Sequence, residues 1–263
     1  MTNTASQMCD AAQVYRASPA AEDHRLAHEL AEAAGELLLG MRDSLRGAEL
    51  RAAGDRRSNE LLLSRLARER PGDAVLSEES ADDGPRLTAE RVWIIDPLDG
   101  TREYAEPGRT DWAVHVALWS GGYLAAGAVS LPAAGTTFST WRPAPPVAPE
   151  DDPVVLISRS RPPAVLAGVL ARWPATPRPM GSAGAKTATV LAGDATAYVH
   201  GGGQYEWDSA APVAVAVASG WCVRRLDGSA PRYNQPNPWL PDMVVCHPHH
   251  APALWAALDA VAG

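Results

Sequence analysis

The segment Val92-Trp93-Ile94-Ile95-Asp96-Pro97-Leu98-Asp99-Gly100-Thr101 constrains the fold of this 263-residue chain more than any other. Four apolar residues, three of them β-branched, predict a buried strand. Pro97 fixes its own φ and biases Asp96 toward extended backbone, so the chain is expected to turn sharply where the apolar run ends. Gly100 permits close backbone approach, and Asp99 or Thr101 is suited to capping a following helix. Two carboxylates at the mouth of a buried strand repel each other unless a cation lies between them. Asp96 and Asp99 are therefore candidate metal ligands, with ordinary turn and cap residues as the alternative. The helix start behind them offers free N–H groups to a phosphate.

Composition narrows the partners. A formal charge of −8 argues against a nucleic-acid polymer. It leaves a small anionic substrate open, because a bound divalent ion inverts the local field. Cys9, Cys222 and Cys246 are too few and too scattered for a disulfide framework or a zinc site, which points to a cytoplasmic location. The start of the sequence lacks a signal-peptide pattern, and no stretch reads as a membrane span. Among 23 Lys and Arg residues only Lys186 is lysine, so a compact ammonium in place of a planar fork calls for an explanation.

Residues 1–20 are small, polar and proline-punctuated, and read as a flexible N-terminus. Glu22 to Arg46 carries Leu26, Leu30, Ala33, Leu37, Met41 and Leu45 at helical spacing. Gly47 to Asp55 reads as a connection, with Asp55 at the N-terminal end of a second helix that Pro71-Gly72 stops. Ala74-Val75-Leu76 is a short strand ending in Ser77-Glu78-Glu79-Ser80, and adjacent glutamates on a strand point to opposite faces. Strands follow around Asp111–Trp119, with His115 as a core histidine or a support to ligands, then at Tyr123–Leu131 and Gly135–Trp141. A first domain, 21–141, is thus α+β with an antiparallel sheet. Arg142 to Pro153, with five prolines, reads as a surface crossing.

The second half, 154–263, alternates strands and helices in the manner of an α/β layer arrangement. Strands are expected at Val154–Ile157, Ala195–His200, Trp221–Leu226 and Met243–Cys246. Helices are expected at Pro163–Trp173, after the small-residue turn Gly181 to Lys186, at Ser209–Ala218 and at Pro252–Val261. Asp208, just before an apolar helix, reads in isolation as an N-cap. His247, His249 and His250 lie in a proline-broken loop without an acidic partner, which disfavours a metal role.

Taken in order, Asp55, Ser77-Glu78-Glu79-Ser80, Ile95-Asp96-Pro97-Leu98-Asp99-Gly100-Thr101 and Trp207-Asp208-Ser209-Ala210-Ala211 resemble the motifs of the inositol monophosphatase superfamily, a lithium-sensitive, magnesium-dependent group of small-molecule phosphatases. Asp99-Gly100-Thr101-Arg102-Glu103-Tyr104, Ile157-Ser158-Arg159-Ser160 and the turn ending in Lys186 resemble its CysQ-type bisphosphate-nucleotidase branch. The resemblance implies a layered αβαβα sandwich, possible homodimers, and two to three Mg2+ ions with inhibition by Li+. It further implies that Glu78, Asp96 and the Leu98 carbonyl hold one ion, that Asp96, Asp99 and Asp208 hold a second, and that a third lies near Glu78 and Glu79. By the same resemblance Asp55 and Thr101 orient and deprotonate the attacking water, while Gly100 and Thr101 offer backbone N–H groups to the phosphate.

Oxygen-only ligands suit a hard cation. Such ions neutralise phosphate oxygens and lower the pKa of a bound water, as direct in-line hydrolysis of a phosphomonoester requires. For a bisphosphate substrate, Arg102, Arg159, Arg161 and Lys186 are candidate cations. His200 stands where the inositol branch has an acidic group for sugar hydroxyls and the nucleotidase branch often has arginine. The expected reaction is release of the 3'-phosphate from adenosine 3',5'-bisphosphate, with a broader inositol-phosphate or fructose-bisphosphate phosphatase as the alternative. A metal- and nucleotide-binding regulator without turnover is disfavoured by the presence of both Asp55 and Thr101.

Overall fold

In a computed structural model of the chain, residues 13–82, 84–147 and 152–262 are described. The expectations for residues 1–12 and for the middle of the proline-rich crossing lie outside them. The chain opens with helices α1 (Ala21–Ser44) and α2 (Gly47–Glu69). Strands β1 (Ala74–Ser77) and β2 (Arg91–Asp99) follow, then the single-turn helix α3 (Thr101–Ala105). Strands β3 (Ala113–Ser120), β4 (Tyr123–Leu131) and β5 (Thr136–Ser139) complete a sheet in sequence order. In it β1 runs parallel to β2, and the other neighbours are antiparallel.

Beyond the crossing come β6 (Val154–Ser158), α4 (Leu166–Leu170), β7 (Thr176–Met180), α5 (Ala183–Leu191), β8 (Ala197–His200) and β9 (Gln204–Tyr205). They are followed by α6 (Glu206–Ala218), β10 (Cys222–Arg224), β11 (Trp239–Leu240), β12 (Met243–Cys246) and α7 (Ala251–Ala262). The second sheet has the order β10-β12-β8-β6-β7, and β9 pairs with β11 as a separate ribbon. Strand β7 escapes a reading by apolar alternation because it contains Pro177 and Pro179. Its place at the sheet edge is where a missing N–H is tolerated.

Five layers result. Trp93, Ile95, Val114, Val116 and Leu118 face α1 and α2, while Val92, Ile94 and Ala117 face the opposite way, onto α5 and α6. Leu156, Tyr198, Met243 and Val245 of the second sheet close over those central helices, and α4 and α7 pack on Val155, Val199 and Val244 behind it. This is the expected αβαβα sandwich. Helix α6, apolar on every side, is the kind of helix that two sheets enclose. It runs so close to β4 that a Cβ on Gly127 would lie 2.8 Å from the Ala214 Cβ.

Among the described residues no helix is long and apolar enough to cross a membrane. Cys246 is a buried free thiol.

Candidate functional site

Strand β2 delivers two carboxylates to one end of the first sheet. Side chains alternate along it, so Asp96 shares the face of Val92 and Ile94 and looks toward the central helices. The strand does not end at Ile95, as Pro97 led us to expect. Pairing with β3 resumes at Asp99 opposite Ala113 after a register shift, the irregularity expected of a residue without an N–H. The bend is held from both sides: Leu98 N donates to Asp96 Oδ1 at 3.0 Å, and Ser58 Oγ of α2 donates to the Pro97 carbonyl at 2.7 Å. Gly100 then turns the chain with φ +85°, and a Cβ there would stand 3.0 Å from that of Ser182 and 3.2 Å from the Asp111 carbonyl. Glycine is needed for the conformation and for the space.

Helix α6 brings the third carboxylate. It begins at Glu206, earlier than its apolar run suggested, so Asp208 lies inside the first turn and accepts the Tyr205 N–H at 2.6 Å. Oxygens of Asp96, Asp99 and Asp208 all lie within 4.8 Å of one another. The fourth carboxylate, Glu78, follows β1 and borders the same cavity as Asp99 and Asp208. Burial, reinforced by mutual repulsion, holds Asp96 well above the usual carboxylate range and lifts Glu78 to about 7 and Asp208 to about 6.

Glu79 is the next residue of the turn after β1. It helps burial raise Asp55 on α2 to about 6. The strand alternation expected of the two glutamates does not apply to them, because β1 ends at Ser77 and both lie in the turn that follows. Asp55 itself sits in the interior of α2, whereas the sequence placed it at a helix start: the stretch taken for a connection is already helical from Gly47. The Thr101 hydroxyl lies 3.3 Å from Asp55 Oδ1 and 3.1 Å from the Leu98 carbonyl oxygen.

Asp99 differs from its neighbours in carrying donors of its own. Ser182 Oγ donates to its Oδ2 at 2.5 Å, Gly184 N at 2.7 Å, and His115 Nε2 stands 3.2 Å away with its Nδ1 3.0 Å from the Trp207 carbonyl. Burial alone would raise the Asp99 carboxyl; these partners outweigh it and hold it below the usual range. Neither Ser182 nor Gly184 was singled out from the sequence. Ser182 also caps α5 by accepting from Ala185 N at 2.9 Å, with φ +49°, an uncommon conformation for a residue with a side chain. A serine placed to cap the helix that follows a glycine turn was the available signal.

The candidate substrate residues divide. Gly100, Arg102, Arg159, Arg161, Lys186 and His200 all border one cavity of about 720 Å³ together with Glu78, Asp99, Thr101 and Asp208. Lys186, expected at a ligand phosphate, spends its ammonium on the carbonyls of Ser182 (2.6 Å), Gly181 (3.1 Å) and Met180 (3.4 Å), over the face of Tyr198. Three consecutive carbonyls need three converging donors on one point charge, which explains why this position departs from the general use of arginine. Burial lowers the ammonium to about 8. Arg159 is paired with Glu103 and Glu106. His200 has Nε2 3.1 Å from the Gly203 carbonyl and Nδ1 3.3 Å from the Tyr198 hydroxyl, and burial pushes it below the usual imidazole range. Arg161 makes only a long contact, 3.4 Å, to the Gly202 carbonyl. His247, by contrast, contacts the Val147 carbonyl, within the proline-rich crossing, at 2.8 Å.

Comparison with known proteins bears on the same residues. A model of the inositol monophosphatase family matches residues 10–145 and 154–261. The chain is 49% identical over 255 residues to a protein of Mycobacterium leprae (strain TN) named 3'-phosphoadenosine 5'-phosphate phosphatase, covering 91% of this chain and 94% of that protein. A relative of the same name from Mycobacterium tuberculosis is 50% identical over 237 residues, 86% of this chain and 89% of its own. Among solved structures, Mycobacterium tuberculosis SuhB superposes with a TM-score of 0.71 at 27% identity, covering 92% of this chain and 98% of its own. CysQ from Bacteroides thetaiotaomicron gives a TM-score of 0.73 at 23% identity over 86% and 97%, a likeness of fold.

Proposed function

The chain belongs to the inositol monophosphatase family, and from that premise we propose that it is a metal-dependent phosphatase that removes the 3'-phosphate of adenosine 3',5'-bisphosphate, giving AMP and inorganic phosphate. The observation that carries the reading is an oxygen-only cluster, Asp96, Asp99 and Asp208 within 4.8 Å of one another, set beside the Asp55–Thr101 pair. Hard divalent cations such as Mg2+ take such ligands, and the raised carboxyls of Glu78, Asp96 and Asp208 are those of acids crowded without a counter-charge. In this reading Glu78, Asp96, Asp99, Asp208 and the Leu98 carbonyl hold the ions, Glu79 lies near a looser one, and Li+ inhibits. Bound ions supply charge neutralisation and an acidified water.

The rest falls to the protein. Asp55, ionised above about pH 6, accepts the hydroxyl proton of Thr101. As the threonine oxygen takes a proton from the attacking water and passes its own to Asp55, the water oxygen bonds to phosphorus, the phosphorus–O3' bond breaks and the leaving oxygen takes up a proton from solvent. Ser182, Gly184 and His115 keep Asp99 ionised and fixed in direction. Gly100 and Thr101 present backbone N–H groups to the phosphate. Arg161 and Arg102 are the arginines of the cavity left to meet a second phosphate, while Lys186 positions the Ser182 turn. The substrate follows the two mycobacterial relatives, matched at about half identity along nearly the whole chain. The test is magnesium-dependent phosphate release from adenosine 3',5'-bisphosphate, the 3'-phosphate of adenylyl sulfate and inositol 1-phosphate, with and without lithium. Wild type should prefer the bisphosphate, and Asp96→Asn should be folded and inactive. Near-normal turnover by that variant would overturn the mechanism.

A further inference from the structure

Gln204 carries a polar group with no use inside the protein. It is 5% exposed and lines the cavity that holds Asp99 and Asp208, yet among the described residues neither its Nε2 nor its Oε1 has a hydrogen-bond partner. A primary amide offers two donors and an acceptor, and leaving both ends unmade in a buried position is costly, so a side chain kept this way wants an explanation. The backbone around it is firmly placed. Gln204 pairs with Leu240 across the β9–β11 ribbon. On one side the Gly203 N–H bonds to the Pro241 carbonyl at 2.9 Å. On the other the Tyr205 N–H bonds to Asp208. At Gly203, φ is +76° and a Cβ would stand 2.9 Å from Trp239 Nε1, so the loop is tightly enclosed.

We propose that Gln204 is a specificity-determining residue that hydrogen-bonds the organic leaving group of the substrate through a neighbouring donor and acceptor; this rests on the phosphatase reading above. Its place one residue before the N–H that holds Asp208 puts it on the α6 side of the acidic cluster. A phosphate dianion offers acceptors alone and satisfies only half of an amide. A donor beside an acceptor occurs at two places in adenosine 3',5'-bisphosphate: the ribose 2'-hydroxyl next to the ester, and the N6–H/N7 edge of adenine, which glutamine side chains match bidentately. A site built around such a pair rejects a ligand lacking it, because the amide is then left bare.

The test compares wild type with Gln204→Met, close in size and without hydrogen-bonding capacity. The four substrates are adenosine 3',5'-bisphosphate, its 2'-deoxy analogue, the inosine analogue and p-nitrophenyl phosphate. The methionine variant should lose roughly 10- to 100-fold in kcat/KM on the adenosine compound and stay within about twofold on p-nitrophenyl phosphate. The difference between the two proteins should collapse on one analogue, the 2'-deoxy compound if ribose is read and the inosine compound if the base is. The melting temperature of the variant without ligand should equal or exceed that of wild type, since no internal bond is removed. Equal losses on all four substrates, no loss on the adenosine compound, or a lowered melting temperature would overturn the proposal. Calorimetric titration of adenosine 3',5'-bisphosphate into both proteins in Ca2+ separates the two layers of inference. Absence of turnover by wild type on every ester would sink the phosphatase reading, whereas equal affinity of the two proteins would sink the role of Gln204.

Discussion

Removing one carboxylate from the acidic cluster should stabilise the metal-free protein. Two unit charges about 5 Å apart repel by about 3 kcal/mol at an effective dielectric constant of about 20, and the three aspartates place oxygens within 4.8 Å of each other. The titration of Asp208 gives the same size independently: a carboxyl moved from 3.8 to about 6 by burial and by Asp99 is penalised by about 3 kcal/mol when charged. The folded state binds this proton more tightly than the unfolded chain. The penalty is therefore absent below about pH 4, grows as pH rises through about 6, and is complete by pH 8. Asp208→Asn keeps an oxygen for the Tyr205 N–H and removes the charge. In EDTA at pH 8 it should melt roughly 6 to 12 °C above wild type, at about 2–4 °C per kcal/mol for a chain of about this size. At pH 4.5 the gap should shrink to about a third, and in saturating Mg2+ wild type should gain far more than the variant. Melting by differential scanning fluorimetry across pH 4.5–8, with and without metal, reads all three. A variant less stable than wild type in EDTA at pH 8, or a gap independent of pH, would refute the electrostatic account.

Two further perturbations probe the supports. In Gly184→Ala the new Cβ would stand 2.0 Å from His115 Nε2 and 2.9 Å from the Ala113 Cβ. The fully buried ring must swing off Asp99 and the Trp207 carbonyl, so we expect a loss of about 1–3 kcal/mol in stability and a weaker Mg2+ dependence in an activity titration; normal metal dependence would refute the role given to His115. Asp23, 2% exposed beneath Arg70 and Arg91, is held below the usual carboxylate range because its hydrogen bonds and ion pair with arginine outweigh burial. Its contribution is full above about pH 4 and is lost as pH falls through its lowered midpoint, so Asp23→Asn should cost about 3 kcal/mol at pH 7 and flatten the acid limb of the stability curve. An unchanged acid limb would count against it.

Much of this site was legible because strands have period two. Val92 to Ile95 read as a buried strand, and the same parity sends Asp96 toward α6. The misreadings share a cause. Gly47 to Asp55 read as a connection because glycine and charge outweigh its apolar content, yet Leu50 and Ala53 are buried and the stretch is helical throughout. The helix at Asp208 starts earlier than its apolar run because β9 and β11 anchor the preceding residues. The charges of Lys186 and Arg159 were visible in the sequence, but their partners were not. Three carbonyls and two glutamates that meet only in three dimensions decide what each cation is free to do.

The donors to Asp99 carry the last step of the reasoning. Asp96 and Asp99 lie before the proline-rich crossing, and Ser182, Gly184, Lys186 and Asp208 lie after it. Neither half assembles the cluster alone. The Lys186 ammonium gathers the carbonyls of residues 180–182, the turn so held points Ser182 Oγ and Gly184 N at Asp99, and Asp111 from the first half fixes Gly181 N at 2.8 Å. Docking the halves therefore places one carboxylate as an ionised, oriented ligand, while crowding keeps its neighbours prone to take up protons. An acidic cluster built only of repelling partners would splay or stay protonated without metal. In the proposed reading, one member locked in its charged form by neutral donors and His115 would give an incoming cation a fixed first contact, around which the remaining carboxylates ionise.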